Sequence, residues 1–471
     1  MAHKKNRHLS EKGTVQQREC STTFELLALH EAHPERYPFL LQSIAVGAAQ
    51  ARFDILFAHP GETLALLRDG RLKRGDQLLQ EGDFLSQLDH SWQQTAGHHD
   101  ASVELPFSGG WFLYLGYELA AQVEPNLALP TQGFTRELPV ACATRIPAAI
   151  IRDHHQQRCW LVAEGEDVEL LDQMQRDIET VPTSTTAAAD TPLVVSLVEE
   201  EPSRYLNAVE TIKQYIVEGD VFQVNLSREW QGEIVDGVSV ADIYRRLCAH
   251  NPAPFAGLAR YQESAVISSS PERLVSVKGD HLSTRPIAGT RPRASGHDDD
   301  LALSAALLQH PKERAEHIML IDLERNDLGR VCEPGSINVD ELMVLESYAH
   351  VHHIVSNVCG TRRSGVTPGE VIRALFPGGT ITGCPKVRCM AIIAELEQTT
   401  RGPYTGSMGY LNRDGSMDLN ILIRTMVSEG RALSLRAGAG IVADSDAAAE
   451  LVETRIKARG LLRALGVNDA D

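Results

Sequence analysis

Residues 203–228 read SRYLNAVETIKQYIVEGDVFQVNLSR, and their period changes halfway. Tyr205, Val209, Ile212 and Ile216 recur at helical spacing over Ser203–Glu218, and Gly219 suits the position just past a helix end. From Val221 to Arg228 the period drops to two. Phe222, Val224 and Leu226 point one way, Gln223, Asn225 and Ser227 the other. A helix passing directly into a strand fits a mixed α/β chain, and a strand with one polar face either meets solvent or lines a polar pocket.

Working outward toward the C-terminus, Lys312–Asp327 (KERAEHIMLIDLERND) reads as a buried helix ending near Gly329. Glu316 stands just before its apolar centre, and a carboxylate turned into such a run must be paired, protonated or metal-bound. A last helix, capped by Asp444 or Ser445, runs to about Leu465 and sets Glu450, Glu453 and Lys457 on one face. On spacing alone an i,i+4 surface pair is the favoured explanation of Glu453–Lys457. Two helices each offering an inward Glu would suit Mg²⁺, which takes one or two protein carboxylates and fills its octahedron with water and substrate oxygens. Phe376–Lys386 (FPGGTITGCPK) and Ala437–Ile441 (AGAGI) are glycine-rich without matching the phosphate-loop or dinucleotide patterns. Their backbone N–H groups, with Arg424 between them, can hold a carboxylate.

Toward the N-terminus, 182–200 begins with a low-complexity PTSTTAAADTP stretch and reads as a linker. It separates an N-terminal lobe over 21–181 from a chemistry-bearing region over 201–471. Residues 1–20 read as a flexible tail.

The 471 residues carry 45 Lys and Arg against 63 Asp and Glu, a net −18. That balance argues against nucleic acid, whose phosphates need a basic surface, and against a membrane surface. No segment approaches the roughly 18 apolar residues of a spanning helix. Eight scattered cysteines without a CxxC pair, and a polar N-terminus, point to a reducing cytoplasm. Neither a GxSxG elbow nor HExxH occurs, and no GxCxG elbow marks a glutaminase.

Together the motifs resemble the chorismate-utilising enzyme family. They are GDVFQVNLS (219–227), SPER (270–273), RPIAGT (285–290), ERAEHIMLIDLERNDLG (313–329), VHHIVS (351–356), FPGGTITGCPKVR (376–388), GSMGY (406–410), IRT (423–425) and AGAGIVADSDAAAELVETRIK (437–457), in family order. The resemblance implies two large, mostly antiparallel sheets packed face to face, with helices outside. It implies chorismate as substrate and one Mg²⁺ held by Glu316 and Glu453 with Glu450 beside them. Glu272 would be the general acid for loss of the C4 hydroxyl, with Gln223, Thr290 and His353 completing the catalytic set. Thr380, Thr382, Tyr410, Arg424, Gly438, Gly440 and Lys457 would contact substrate. Leu41 and Ser43 would belong to a tryptophan site in the N-terminal lobe.

Gln223 stands where hydrating members carry a lysine base, so the nucleophile implied is ammonia, supplied by a separate glutamine amidotransferase subunit. Two aminating branches fit. FPGGTIT and Arg52–Ile55 (RFDI) resemble aminodeoxychorismate synthase component I of the folate branch. Ala288, in place of that branch's covalent lysine, resembles anthranilate synthase component I of the tryptophan branch. Two features against one favour the folate branch. A silent chorismate-binding protein is the reading from another class, opposed by the presence of Glu272, Glu316 and Glu453.

Overall fold

The structure, a computed structural model, describes residues 15–45, 51–95, 105–165, 168–181, 191–293, 297–309, 311–347 and 351–467. Its framework is two 12-stranded sheets. The first runs from Val15–Cys20 through Phe53–Ala58, Phe255–Tyr261, Ser264–Ser270, Thr425–Glu429, Ala432–Ile441 and Gln223–Ile234 to an edge at Val194–Glu199. The second runs from Ile287–Pro292 through Val351–Thr361, Arg273–Lys278, Met417–Asn420, Ser407–Asn412 and Gly110–Leu115 to Gln77–Leu79. The central pairings, such as Gln223–Ile234 with Ala432–Ile441 and Ser407–Asn412 with Gly110–Leu115, are antiparallel.

Apolar residues from both sheets meet in one layer: Phe39, Ile55, Phe57 and Val266 from the first, Phe112, Tyr114 and Met408 from the second. Phe39 stacks flat on Phe112 with ring centroids 4.1 Å apart, tying the sheets across that layer. Helices cover the outer faces. Val168–Thr180, Val240–His250 and Ala447–Ala464 pack on the first sheet, and Phe84–Thr95 and Pro368–Leu375 on the second. The architecture is the helix-clad sandwich expected from the sequence.

The period change at 203–228 is real. Pro202–Val217 is helical, Gly219 follows at φ +84°, and Gln223–Ile234 is a strand. Val224 and Leu226 pack under helices, leaving Gln223 and Asn225 on the opposite face. The strand is longer than its alternating stretch because Ala432–Ile441 pairs along nearly all of it. Asp446, not Asp444 or Ser445, caps the last helix by accepting from Ala449 N–H at 2.9 Å, while Ser445 Oγ accepts from Val442 N–H and closes the preceding turn. Two segments read as loose are strands. Val15–Cys20 of the expected tail pairs with Arg158–Glu164, and Val194–Glu199 of the expected linker pairs with Gln223–Ile234. Both are edge strands, whose one-sided pairing leaves weak apolar patterning. Residues 1–14 and 182–190 of those segments lie outside the described residues.

Candidate active site

The chain crosses between the sheets twice at one place. Ser264–Ser270 ends in the first sheet and Arg273–Lys278 begins in the second, so Pro271 and Glu272 form one crossing. Met417–Asn420 and Thr425–Glu429 make the reverse passage through residues 421–424. The crossings are stitched together. Ser269 N–H donates to the Arg424 carbonyl at 3.1 Å and Ile421 N–H to the Glu272 carbonyl at 3.0 Å; the Ser270 hydroxyl donates to the Ile421 carbonyl. Arg424 holds φ +53°, a left-handed conformation unusual for a side-chain-bearing residue. Backbone geometry alone thus sets Glu272 and Arg424 side by side.

Glu272 is 5% exposed. Burial pushes its carboxyl up to about 7, against the opposing pull of the Thr380 hydroxyl, the Ile287 N–H, Arg424 and Lys457. Thr380 faces it without closing a hydrogen bond: Glu272 Oε1 and Thr380 Oγ1 are both buried with no partner. Glu324, on helix Pro311–Gly329, is a second buried carboxyl in this neighbourhood. Burial and then Asp327 push it up to about 8, and Glu272 adds to the rise. Asp327 is itself paired with Lys386 at 2.5 Å.

Arg424 lies beside Glu272, with Tyr404 and Glu453 around it. Burial pulls its guanidinium down, and Tyr404, Glu453 and Glu272 offset that. A buried cation whose charge is disfavoured is a receptor for an anion. Beside it Asn225 pairs with Gly440 and Ser227 with Gly438. A β-carbon at Gly440 would stand 2.4 Å from Gln223 Nε2; one at Gly438 would stand 2.5 Å from the Leu226 carbonyl and 2.8 Å from the Tyr404 hydroxyl. Only glycine leaves the backbone open there. Gln223 Oε1, Asn225 Oδ1 and the Tyr205 hydroxyl are buried without partners. Native proteins rarely leave such groups unsatisfied, so five of them along one connected set of residues point to a polar ligand.

Glu450, Glu453 and Lys457 share a face of helix Ala447–Ala464, and Lys457 Nζ lies 2.7 Å from Glu453. Glu453 acts on both Arg424 and Tyr205, and Glu450 on Tyr205, which turns this face toward the same centre. Glu316 is half-buried on helix Pro311–Gly329, next to His317. His317 is wholly buried, contacts Ser356 Oγ through Nε2 at 2.6 Å, and is pushed down to about 4 by burial, so it is neutral. Glu313, one turn earlier, reaches strand Ile287–Pro292, its Oε2 standing 2.9 Å from where a Gly289 β-carbon would be. His353, paired in register with Thr290, is likewise pushed down to about 4 by burial and by Arg424. Among the described residues no three His, Cys, Asp or Glu converge to enclose a metal by themselves. The donors present are carboxylate oxygens on two helices, which fits Mg²⁺, a hard cation that keeps water and substrate oxygens among its ligands.

Several expected residues lie elsewhere. Tyr410 is not in this centre. It sits mid-strand in Ser407–Asn412, 5.9 Å from the Phe107 ring and 6.4 Å from Phe57, and lines a second cavity of about 540 Å³, its open mouth included. Tyr404, in the turn before that strand, takes the place beside Arg424. The sequence offers two tyrosines six apart, and only the start of the strand decides between them. Thr382 is fully buried, and its hydroxyl donates to the Gly378 carbonyl at 2.8 Å, so it ties its own loop and does not line the pocket. The side chain of Thr290 lies outside the described residues. Leu41 and Ser43 line the second cavity with Phe53, Pro254 and Arg273. Ser43 N–H donates to Asp54 at 2.9 Å, and its hydroxyl to the Pro254 carbonyl at 3.2 Å. Arg273 adjoins Glu272 in sequence and is held by Asp418 through two contacts of 2.9 Å. Sequence reading missed Glu324, Tyr404, Tyr205 and Asn225. Asn225 was on the polar face it identified; the others carry no local signal.

A family model described as chorismate binding enzyme matches residues 45–463. Anthranilate synthase component I-like protein of Synechocystis is 43% identical over 375 residues, 78% of this chain and 76% of its own length. Aminodeoxychorismate synthase component 1 of Bacillus subtilis is 39% identical over 452 residues, 93% of this chain and 94% of its own. The crystal structure of anthranilate synthase component I from Streptococcus pneumoniae superposes with a TM-score of 0.78 at 32% identity, covering 88% of this chain and 93% of that one. No helix among the described residues is long and apolar enough to cross a membrane.

Proposed function

The chain belongs to the chorismate-binding enzyme family, and from that premise we propose that it aminates chorismate with ammonia to 4-amino-4-deoxychorismate, in the folate branch. The observation that carries the chemistry is the pair of sheet crossings, which places a buried, partly protonated carboxyl beside a buried guanidinium. Arg424, the Tyr404 hydroxyl and the open backbone at Gly438 and Gly440 bind a substrate carboxylate. Glu272, in its neutral form, gives its proton to the C4 hydroxyl, which leaves as water while ammonia supplies the new C–N bond. His353 is uncharged and adds no cation beside the ring. Glu316, Glu450 and Glu453 would hold Mg²⁺, which when bound supplies positive charge to offset a second carboxylate. Gln223 has no basic nitrogen to activate water, which disfavours hydration.

FPGGTIT and RFDI support the folate branch. Ala288 favours the second reading, anthranilate formation. It is buried beside Ile287, whose N–H faces Glu272, and a methyl group cannot attack C2. A separate glutamine amidotransferase would deliver ammonia, and the cavity lined by Leu41 and Ser43 would take tryptophan. The test is purified chain with chorismate, Mg²⁺ and ammonium salt, with and without aminodeoxychorismate lyase. Lyase-dependent 4-aminobenzoate supports the folate reading; anthranilate fluorescence without 4-aminobenzoate rejects it.

A further inference from the structure

Val15–Cys20 pairs with Arg158–Glu164 in a register that sets Cys20 directly across from Cys159. Opposed residues of an antiparallel pair stand about 4.5–5.5 Å apart at Cα. A disulfide spans about 4.4–6.8 Å between Cα atoms, a range that includes this cross-strand spacing. Both cysteines are free thiols, and their sulfurs lie within hydrogen-bonding reach of each other. The next residue in the same cross-strand row is Arg152, opposite Cys159. Its guanidinium stands beside the Cys159 sulfur and donates to the Phe24 carbonyl. A thiol donor on one side and a cation on the other are the surroundings that favour a thiolate, and they pull the Cys159 thiol down. Cys159 is fully buried, whereas Cys20 is partly exposed on an edge strand, so a small reagent enters from the Cys20 side. Among the described strands no other two cysteines face each other in register.

We propose that Cys20 and Cys159 form a modification site at which a small peroxide makes a cross-strand disulfide, stapling the edge strand Val15–Cys20 to the first sheet. The Cys159 thiolate attacks one peroxide oxygen. The O–O bond breaks, leaving a sulfenic acid and, with one proton, water. The Cys20 thiol then attacks the sulfenic sulfur, forming the S–S bond and releasing the second water. Two thiols and one hydrogen peroxide thus become one disulfide and two waters, the sulfurs losing two electrons and the peroxide gaining them.

The test is mild hydrogen peroxide treatment of the reductant-free full chain, then alkylation and tryptic mapping without reduction. The expected species joins Glu19–Arg36 to Cys159–Arg176, with two of the eight thiols lost and recovered on adding dithiothreitol. Cys20→Ser, on the exposed edge, retains Cys159 as sulfenic acid trapped by dimedone, and the joined peptide is absent. Oxidation of other cysteines first, or over-oxidised Cys159 in the wild-type chain without the joined peptide, overturns the proposal.

Discussion

Replacing Glu272 with Gln should cut activity severely while making the protein more resistant to alkaline pH. The side chain is 5% exposed and is pushed from 4.5 to about 7 chiefly by burial. At pH 7 about half of it carries a proton; with the ordinary value only about one molecule in 300 would, so burial raises the acid available roughly 150-fold. The same shift corresponds to about 3 kcal/mol of folding free energy. The sign follows from the raised value. The contribution is intact below pH 4.5, erodes as pH rises, and is lost above 7, because the folded state must then hold a buried charge. Gln cannot ionise, so the variant escapes that loss. For a chain of 471 residues, about 2 cal/mol/K of unfolding entropy per residue turns 3 kcal/mol into about 3 °C. Melting scans at pH 4 and pH 9 should therefore show wild type losing about 3 °C relative to Glu272→Gln. Fixed costs of the amide cancel in that difference; Glu324, whose rise Glu272 shares in, loses that part of its shift in the variant and so adds to the difference in the same direction. Chorismate turnover should fall by about 10² to 10⁴, the usual share of a general acid, and the wild-type rate should decline as pH rises through about 7. Equal pH dependence of stability in the two proteins, or a variant that keeps its rate, would refute the reasoning.

Three further outcomes are expected. Arg424→Gln removes the charge-assisted contact to the substrate carboxylate and should raise KM about 100-fold, from the roughly 3 kcal/mol such a bond supplies; unchanged KM in steady-state assays would contradict that role. Tyr404→Phe should slow turnover, whereas Tyr410→Phe should leave it near wild type and alter tryptophan binding measured by calorimetry, because the Tyr404 hydroxyl stands beside Gly438 while Tyr410 lines the cavity of Leu41 and Ser43. Arg401→Met leaves the buried Glu397, which Arg401 and Arg436 hold at 2.6 and 3.0 Å, with one of its two guanidinium partners, and should cost about 3 kcal/mol in urea unfolding.

The helix-then-strand stretch at 203–228 was legible because each segment keeps one period and buries one face. The long carboxylate-bearing helices were legible from their apolar centres and end signals, since neither keeps a clean apolar stripe. Val15–Cys20 and Val194–Glu199 were not, because an edge strand's pairing is set by a partner far along the chain. Within the site, Glu272 and Arg424 could be read from motifs, but their adjacency could not. It arises from two sheet crossings about 150 residues apart joined through backbone bonds. The choice of Tyr410 over Tyr404 failed because both flank the same glycines, and only the strand's start separates a turn position from one inside the sandwich. Thr382 failed because a hydroxyl that closes its own loop reads, in sequence, like one that faces a ligand. Glu324 carried no signal: its helix has no distinct apolar stripe, so a buried carboxyl there reads like a solvated one.

The central claim is that the Glu272–Arg424 centre delivers ammonia's nitrogen to C4 of chorismate. Incubating the chain with uniformly ¹³C-labelled chorismate, Mg²⁺ and ¹⁵N-ammonium, and following the product by NMR, shows which carbon gains a one-bond ¹³C–¹⁵N coupling. Coupling at C4, with the pyruvyl group retained, is the predicted result. Coupling at C2, with release of pyruvate, would contradict it.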